Sequence, residues 1–323
     1  MSKIIGIDVS KQTLDVCFQE KNGKWKSFVI SNQLKGFKEL LKHLTEEDTV
    51  VMEASGPYYL QLAMFLHEQK IKVCVENPLV IKRYSQMQLQ RAKTDKKDAK
   101  VIACYGMVHQ PKIWKPESKA ANDLKQLYTA KELIQKQIHQ TERQLEAFTS
   151  SGVLDIFLKK QLNAIIKQLK KRYQTIEEQI NEVAQKEYGE LLVRLQTIPG
   201  IGRKTAIYLA VLTDGFKKFE HYKQLIAYIG FSPRIYQSGT SVKGRGHICK
   251  MGNGQIRKLL YLCSWTAKNA NKYCKEMYER LKQKGKPERV VKIAIANKLV
   301  KQAFAIAKSN QTFNENYLKN TCF

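Results

Sequence analysis

Between residues 3 and 108 the chain alternates short β-rich runs with amphipathic helical runs, and this order is typical of an α/β domain. Lys3–Val9 (KIIGIDV) is apolar enough to form a buried strand. Leu14–Gln19 and Lys26–Ser31 alternate in hydrophobicity on either side of the turn residues 21–23. They therefore predict an antiparallel hairpin that continues from the first strand.

The rest of this segment adds two helices and two strands. Helices are predicted over Gly36–Leu44 and Tyr58–Gln69, and strands over Thr49–Glu53 and Ile71–Glu76. Three hairpin strands followed by helix, strand, helix and strand is the order of a ribonuclease-H-like fold. We therefore assign residues 1–112 to an α/β domain of that fold.

Residues 113–189 have a different composition, with long helical stretches that contain no Pro between Glu117 and Tyr188. Apolar residues recur there at heptad spacing, which indicates a helical hairpin broken at residues 150–152. One seam contains Leu124, Leu127, Ile134, Ile138, Leu145 and Phe148, and the other contains Leu162, Leu169, Ile176 and Val183. The hairpin either packs on its own domain or forms a coiled coil with a second chain. Because an isolated two-helix arm buries little surface, dimerisation is favoured.

The charge of the chain points to a polyanionic partner. Its 323 residues include 56 Lys plus Arg against 29 Asp plus Glu, a formal charge of +27, and nucleic acid fits such a charge best. More than half of the excess lies between residues 231 and 308, within a mainly helical C-terminal domain (190–310) that a polar tail (311–323) follows. No run approaches the ~20 apolar residues of a spanning helix, and the N-terminus lacks a signal-peptide pattern, so we expect a cytoplasmic protein.

Four carboxylates are candidates for a metal site. Asp8 lies in the first predicted strand, Glu53 ends the fourth, and Asp95 and Asp98 are three residues apart on one helix face. The seven cysteines contain no CxxC pair and the six histidines no HxxxH pair, so a metal is expected to be held by oxygen, which suits Mg²⁺ and a phosphate-ester substrate. In the alternative interpretation, Asp95 and Asp98 are ordinary exposed residues between lysines.

The lysines around these two carboxylates are Lys93, Lys96, Lys97 and Lys100. We take the first three as candidate nucleic-acid-binding residues.

The segment TIPGIGRKTA (197–206) resembles the turn of a helix-hairpin-helix module. Gly200 and Gly202 stand before a predicted helix that begins with Arg203 and Lys204, and backbone N–H groups of such a turn can face a phosphate. The alternative is an ordinary turn between helices.

The segment YQSGTSVKGRGHICKMGNGQIRK (236–258) combines a serine next to glycine with basic residues. Ser238 is the candidate nucleophile, and Ser241 and Tyr236 are its rivals. The cations that could stabilise a phosphate are Lys243, Arg245, Lys250, Arg257 and Lys258. From composition alone, a phosphate-binding loop without a nucleophile remains the stronger interpretation.

Five motifs in order resemble the DEDD-type insertion-sequence transposases of the IS-one-ten family. They are GIDVSKQTLDVCF, VMEASGPY, AKTDKKDAKVIA, LQTIPGIGRKTA and YQSGTSVKGRGHICKMGNGQIRKLL. The resemblance extends over nearly the whole chain, and five motifs in register make coincidence improbable.

The resemblance implies a RuvC-like N-terminal domain, a coiled-coil linker and a C-terminal transposase domain with a serine nucleophile. By motif match, Asp8, Glu53, Asp95 and Asp98 would be the metal-binding tetrad, and Ser238 would attack a DNA phosphate and hold the cut strand covalently. Such enzymes are guided by a bridge RNA from their own element, which pairs with donor and target DNA. They act as dimers and tetramers in the bacterial cytoplasm, associated with the nucleoid.

Three other functions compete with this one. A RuvC-like nuclease of the junction-resolvase type would use the same acids with metal-activated water. A sugar kinase or actin-like ATPase would share the GIDVSKQTLDV hairpin, but its second phosphate loop and adenosine pocket are not recognisable. A non-catalytic nucleic-acid scaffold would not depend on Asp8 at all.

Overall fold

The computed structural model describes residues 2–89, 95–238, 242–243 and 246–316. The chain forms two compact units, Met1–Pro116 and Glu117–Phe323. The first is an α/β unit and the second is almost entirely helical. Among the described residues, no helix is both long and apolar enough to cross a lipid bilayer.

A five-stranded mixed sheet forms the centre of the first unit. Its strands are β1 (Ile4–Val9), β2 (Thr13–Gln19), β3 (Trp25–Ser31), β4 (Thr49–Glu53) and β5 (Lys72–Glu76), in the spatial order β3-β2-β1-β4-β5. The first three strands are antiparallel, and β4 and β5 run parallel to β1. This is the ribonuclease-H-like arrangement that the sequence predicts.

Four helices cover the sheet: α1 (Leu34–Leu41), α2 (Leu60–Glu68), α3 (Pro78–Met87) and α4 (Asp95–His109). The first two begin and end within three residues of their predicted bounds. Helix α3 was not predicted; it begins after Asn77, whose side chain accepts a hydrogen bond of 2.9 Å from the Leu79 N–H.

Successive strand residues point to opposite faces of the sheet, and each face has its own core. Ile5, Ile7 and Met52 are buried in one core together with Leu62 of α2. On the other face, Val51 and Cys74 pack with Val101 and Ile102 of α4. The strand positions that alternate with Ile5, Ile7 and Met52 therefore face α4.

The second unit begins with a long helical hairpin, as predicted. Helices α5 (Lys119–Ser150) and α6 (Ile156–Gln196) are separated by a turn in which Gly152 has a φ of +75°. Five shorter helices follow: α7 (Arg203–Thr213), α8 (Tyr222–Ile229), α9 (Gly254–Ala270), α10 (Lys272–Gln283) and α11 (Glu288–Ser309).

The two ends of the hairpin differ in packing. At its base, Leu124, Ile180 and Ala184 are buried in the core formed with α7, α9 and α11. Tyr188 has non-helical backbone angles, so α6 is kinked there, and its hydroxyl donates a hydrogen bond of 2.9 Å to Asp214. At the opposite end, apolar side chains around the turn are exposed.

Between α8 and α9 the chain forms two short antiparallel strand pairs. In the outer pair, β6 (Pro233–Arg234) faces β9 (His247–Ile248), and in the inner pair, β7 (Gln237–Ser238) faces β8 (Val242–Lys243). This segment is therefore a narrow β-ribbon that leads to α9. The sequence interpretation treated it as a loop.

Candidate functional site

Asp8 and Glu53 lie at the carboxyl ends of neighbouring parallel strands. Ile7 of β1 is aligned with Met52 of β4, so the next residues on the two strands are Asp8 and Glu53. Neighbouring strands are ~4.8 Å apart, and aligned residues point to the same face. Both carboxylates therefore lie on the side of the sheet that α4 covers.

Helix α4 lies unusually close to β1 because Gly6 has no side chain. A Cβ on Gly6 would come within 2.2 Å of the Ala99 carbonyl oxygen and 2.3 Å of the Ala103 nitrogen. Further along the helix, a Cβ on Gly106 would come within 2.7 Å of Ile4. The helix therefore runs from the carboxyl end of β1 towards its amino end.

This direction brings the first turn of α4 to the edge of the sheet where β1 ends. Asp95 lies one turn before Ala99, and a turn of helix rises ~5.4 Å. That rise is close to the ~6.6 Å between Gly6 and Asp8 along the strand. Asp98 lies one turn before Ile102, which packs against the β4 side. The backbone thus brings all four predicted metal ligands to one edge of the sheet.

The described side chains at this edge do not form a complete metal site. Among the side chains that the structure describes, no three His, Cys, Asp or Glu residues are grouped closely enough to hold a metal ion. The side chain of Asp95 lies outside that description. Asp8, Glu53 and Asp98 are half-buried, and Glu53 accepts a hydrogen bond of 2.8 Å from the Ser55 hydroxyl. The donors available at this edge are carboxylate oxygens, which is the chemistry that Mg²⁺ prefers.

Two further carboxylates extend this row of acids. Asp15 of β2 is aligned with Asp8, and Glu76 of β5 is aligned with Glu53. Burial and, to a smaller extent, the nearby Glu76 carboxylate together raise the pKa of the Cys74 thiol to about 11. The sequence interpretation did not select Asp15 or Glu76, because only the strand register shows that they are aligned with the predicted ligands Asp8 and Glu53.

The two glycines of the 197–206 segment have different surroundings. Gly200 has a φ of +104°, and a Cβ there would come within 2.6 Å of the Ala267 side chain on α9. Gly202 is exposed and precedes α7, and apart from its chain neighbours no atom of the described residues lies within 4 Å of where its Cβ would be. Gly200 therefore allows the turn to pack against α9, whereas Gly202 leaves the start of α7 accessible.

The predicted cations differ in how they are held. Arg203 donates hydrogen bonds of 3.2 Å to Asn181 and to Gln185 of α6. Arg257 donates one of 2.7 Å to the Ile229 carbonyl at the end of α8. Both guanidinium groups are thus partly engaged within the protein. The exposed lysines among the candidates are Lys97, Lys204, Lys250 and Lys258.

Ser238 lies on the inner strand pair of the β-ribbon, where its backbone is aligned with Val242. Its side chain and that of Lys243 lie outside the described part of the chain, as does the side chain of Lys96. Lys93, Ser241 and Arg245 lie outside the described residues altogether. Tyr236, the other rival nucleophile, is exposed.

The sheet topology and the acidic row define a protein of the ribonuclease-H-like class. Residues 5–151 match a sequence-family model described as a transposase, and residues 193–279 match one described as the transposase IS116/IS110/IS902 family. A pilin gene-inverting protein of Moraxella bovis is 31% identical over 98% of this chain and 99% of its own length. The chain belongs to the IS110 (IS-one-ten) family of transposases. It is therefore a DNA-recombining enzyme with DNA as its substrate.

Other relatives extend this comparison. The pilin gene-inverting protein of Moraxella lacunata is also 31% identical over 98% of this chain and 99% of its own length. The transposase of insertion sequence IS1111A from Coxiella burnetii is 23% identical over 80% of this chain and 76% of its own length. A Thermus thermophilus RuvC structure with a Holliday junction covers 35% of this chain and 100% of its own, at 13% identity and a TM-score of 0.27.

Proposed function

We propose that this transposase cuts and rejoins DNA through a covalent phosphoserine intermediate, with Ser238 as nucleophile and with Asp8, Glu53, Asp95 and Asp98 holding Mg²⁺. The observation that carries the metal part of this proposal is the meeting of β1, β4 and the first turn of α4 at one edge of the sheet. The motif match carries the assignment of Ser238.

The acidic row suits a cation because it concentrates negative charge. Carboxylates without a cation repel one another and turn apart, and rotation of their side chains would bring them together on a shared ion. When bound, Mg²⁺ would neutralise these charges and stabilise negative charge on the phosphate oxygens. The hydrogen bond from Ser55 occupies Oε1 of Glu53 and leaves Oε2 for the metal.

In the proposed step, the Ser238 Oγ forms a bond to phosphorus and one ester oxygen of the DNA backbone leaves. The hydroxyl proton is lost as the nucleophile attacks, and the departing oxygen gains a proton. The phosphoserine ester conserves the bond that was cut, so attack by another DNA hydroxyl reverses the step and rejoins a strand. No nucleotide triphosphate is required.

The alternative is hydrolysis by water, as in a nuclease of the junction-resolvase type. The name of the two Moraxella relatives, pilin gene-inverting protein, argues against it. Inversion of a gene requires that every cut strand is rejoined, and hydrolysis alone leaves strands open. A covalent intermediate preserves each broken bond until it is rejoined.

We further propose that an element-encoded bridge RNA guides the enzyme to donor and target DNA. A protein whose sequence specificity comes from a guide strand needs basic surfaces that read shape and backbone. The formal charge of +27 and the exposed Lys97, Lys204, Lys250 and Lys258 fit this requirement. Sequencing the RNA that co-purifies with the protein tests the proposal, and recovery of only random cellular RNA would contradict it.

The helical hairpin is the proposed subunit contact. Val153, Ile156 and Phe157 at its outer end are 86%, 73% and 69% exposed. Side chains of this kind gain stability by packing against another chain. We propose a homodimer that forms through this end and becomes a tetramer on DNA.

The decisive test of the serine mechanism compares Ser238→Ala with Ser241→Ala. We expect Ser238→Ala to abolish strand exchange and the denaturant-resistant protein–DNA adduct, while Ser241→Ala retains both. Asp8→Asn should abolish cleavage altogether. If Ser238→Ala still forms the adduct and Ser241→Ala does not, Ser241 is the nucleophile. If DNA is cut without an adduct in either variant, hydrolysis is the mechanism.

A further inference from the structure

The second unit contains a cavity near the carboxyl end of its last helix. It lies between α10, α11 and the residues that follow α11, and its volume is about 480 Å³. Cavities of roughly 300 to 1,000 Å³ are typical of small-ligand sites. This one is open to solvent on one side, since the outer wall includes the exposed Lys301.

The electrostatic character of the cavity is cationic. Lys298 and Lys301 belong to its wall, and the described residues that line it include no Asp or Glu. Lys298 Nζ lies 5.4 Å from the ring centroid of Tyr273, and Lys301 Nζ lies 5.2 Å from that of Tyr222. The two ammonium groups therefore favour an anionic ligand over a neutral or cationic one.

Two aromatic rings belong to the apolar part of the wall, which also includes Met277 and Ile306, and both rings are held in place. Tyr273 and Phe313 meet edge to face, with centroids 6.3 Å apart and an interplanar angle of 82°. The Tyr273 hydroxyl donates a hydrogen bond of 2.7 Å to the Glu315 carbonyl, and the Phe313 N–H donates one of 2.9 Å to the Thr197 hydroxyl. Such fixed rings offer flat surfaces for stacking.

A polar atom in the wall lacks a partner. Asn297 belongs to the wall, and its buried Oδ1 atom accepts no hydrogen bond from any residue that the structure describes. A buried acceptor without a partner costs stability unless a ligand or water donates to it. The neighbouring Gln302 amide is paired with Asn271 instead: its Oε1 accepts a hydrogen bond of 3.0 Å from Asn271 Nδ2, and its Nε2 donates one of 3.4 Å to Asn271 Oδ1.

We propose that this cavity binds one unstacked nucleotide of a single-stranded nucleic acid. The base would lie against Tyr273 and Phe313, an exocyclic amino or ring N–H group would donate to Asn297 Oδ1, and the phosphate would contact Lys298 and Lys301. Aromatic stacking with a cationic backbone contact is the general mode of single-strand binding. The inference rests on the nucleic-acid partner of the proposed function and not on its chemistry.

A nucleotide has a chemical group for each of the three features of the wall, which are the two lysines, the two aromatic rings and the Asn297 oxygen. Inorganic phosphate would use the lysines and leave the rings and Asn297 without a contact. The acyl chain of a lipid would contact the rings, but it has neither a charge for the lysines nor a group that donates to the Asn297 oxygen. A base with an attached phosphate supplies an aromatic face, a donor and a negative charge.

The cavity also connects to the 197–206 turn. Asn271, which pairs with Gln302, donates a second hydrogen bond of 3.4 Å to the Pro199 carbonyl. Together with the contact of Phe313 to Thr197, this links the wall of the cavity to the turn before α7. A single-stranded nucleic acid bound at the exposed start of α7 would therefore have this cavity nearby for one unstacked base.

The first experiment measures binding of free ligands by calorimetry. The probes are ribo- and deoxyribonucleoside 5′-monophosphates, ribose 5-phosphate and inorganic phosphate. We expect the monophosphates to bind more tightly than the two base-free probes, and Lys298→Gln with Lys301→Gln to weaken them by ~10-fold. Lys275→Gln with Lys284→Gln removes the same charge from exposed positions outside the cavity and should change binding by less than about 2-fold.

The second experiment identifies the contact and the kind of nucleic acid. Short single-stranded DNA and RNA containing 5-bromouracil are photocrosslinked to the Asp8→Asn protein, and the modified peptide is identified by mass spectrometry. We expect crosslinks at Tyr273 or Phe313. The strand that crosslinks, DNA or RNA, identifies the source of the nucleotide. Asn297→Leu should lower the preference for monophosphates over ribose 5-phosphate without lowering the unfolding temperature.

Three results would overturn the proposal. One is equal affinity for inorganic phosphate and every nucleotide, and another is crosslinking only at residues outside the cavity. The third is binding to phosphatidylglycerol vesicles that depends on Lys298 and Lys301 while nucleotides fail to bind. If any of these occurs while the wild-type protein still cuts and rejoins DNA, only this site is lost and the proposed function stands.

Discussion

Gly6 of β1 lies so close to Ala99 of α4 that a Cβ on the glycine would come within 2.2 Å of the Ala99 carbonyl oxygen. This approach holds α4 against the centre of the sheet. Because Asp95 and Asp98 belong to the first turn of the same helix, their distance from Asp8 depends on a residue that carries no functional group.

Gly6→Ala should therefore displace α4 and impair the acidic edge. The added methyl group would meet backbone atoms of Ala99 and Ala103, which cannot turn aside as a side chain does. We expect a loss of about 1–3 kcal/mol in the free energy of unfolding and a marked loss of DNA cleavage. Chemical denaturation and a cleavage assay measure both.

Gly254→Ala is the control for this substitution. A Cβ on Gly254 would have only an ordinary contact, 3.5 Å from the Arg257 side chain. Its stability should change by less than about 0.5 kcal/mol. If Gly6→Ala were as stable and as active as the control, the close packing of α4 would not position the site.

In the Asp8→Asn variant, the free energy of unfolding should no longer depend on Mg²⁺. The substitution removes one of the four carboxylates that are proposed to hold the ion, and it does so with little change in side-chain volume. Mg²⁺ at about a hundredfold excess over its Kd should stabilise the wild type by about 2.7 kcal/mol and leave the variant unchanged. Thermal unfolding with and without Mg²⁺ measures the difference.

Asp15→Asn provides the matched comparison, because Asp15 is aligned with Asp8 and is not in the proposed tetrad. This variant should retain the magnesium effect. If Mg²⁺ failed to stabilise Asp15→Asn, Asp15 would belong to the metal ligands. If Mg²⁺ failed to stabilise the wild type, the metal proposal would be wrong.

Asp48 should make the first unit sensitive to acid. Its carboxylate is 1% exposed and accepts hydrogen bonds of 2.7 Å from the Lys3 N–H and 2.8 Å from the Thr45 N–H. Burial alone would raise its pKa, but these hydrogen bonds and the Lys3 ammonium together lower it. A lowered pKa in the folded state means that the carboxylate stabilises the fold above its unfolded pKa of about 3.9 and loses this contribution as the pH falls towards the folded value.

Asp48→Asn should cost about 1–3 kcal/mol near neutral pH, because its amide nitrogen would face one of the two N–H donors. The cost should shrink as the pH falls below about 4. Urea unfolding across this range measures it. Glu47→Gln, an exposed change in the same turn, should show no such pH dependence, and equal curves for the two variants would contradict the role of Asp48.

Phe157→Glu at the outer end of the hairpin should convert a dimer into a monomer. Phe157 is 69% exposed, so a charge there leaves the folded chain intact and disfavours an apolar contact between subunits. Sedimentation at micromolar concentrations after removal of nucleic acid measures the change. Lys159→Glu, at an exposed position two residues further along α6, should remain dimeric. A wild-type protein that sediments as a monomer would remove the prediction of a dimer.

Sequence patterns predicted the strands and helices better than they predicted which residues pack against one another. The five strands of the sheet follow from β-rich runs, whereas α3 (Pro78–Met87) was missed; only Ile81 and Tyr84 of this short helix are buried. Gly200 shows the same limit in the second unit. Its neighbour Gly202 gives an identical sequence signal, yet only Gly200 is required by packing against Ala267.

The amino-acid sequence alone predicted the five strands of the sheet in order, helices α1 and α2, the long helical hairpin, the surplus of positive charge and the five motifs that indicate the family. These properties depend on residue type and on spacing along the chain. The tertiary structure was needed to show that Asp15 and Glu76 are aligned with Asp8 and Glu53. It was also needed to show that Asn297, Lys298 and Tyr273 line one cavity. Strand register and helix packing determine such neighbours, and both depend on contacts between residues far apart in the chain, which no local pattern records.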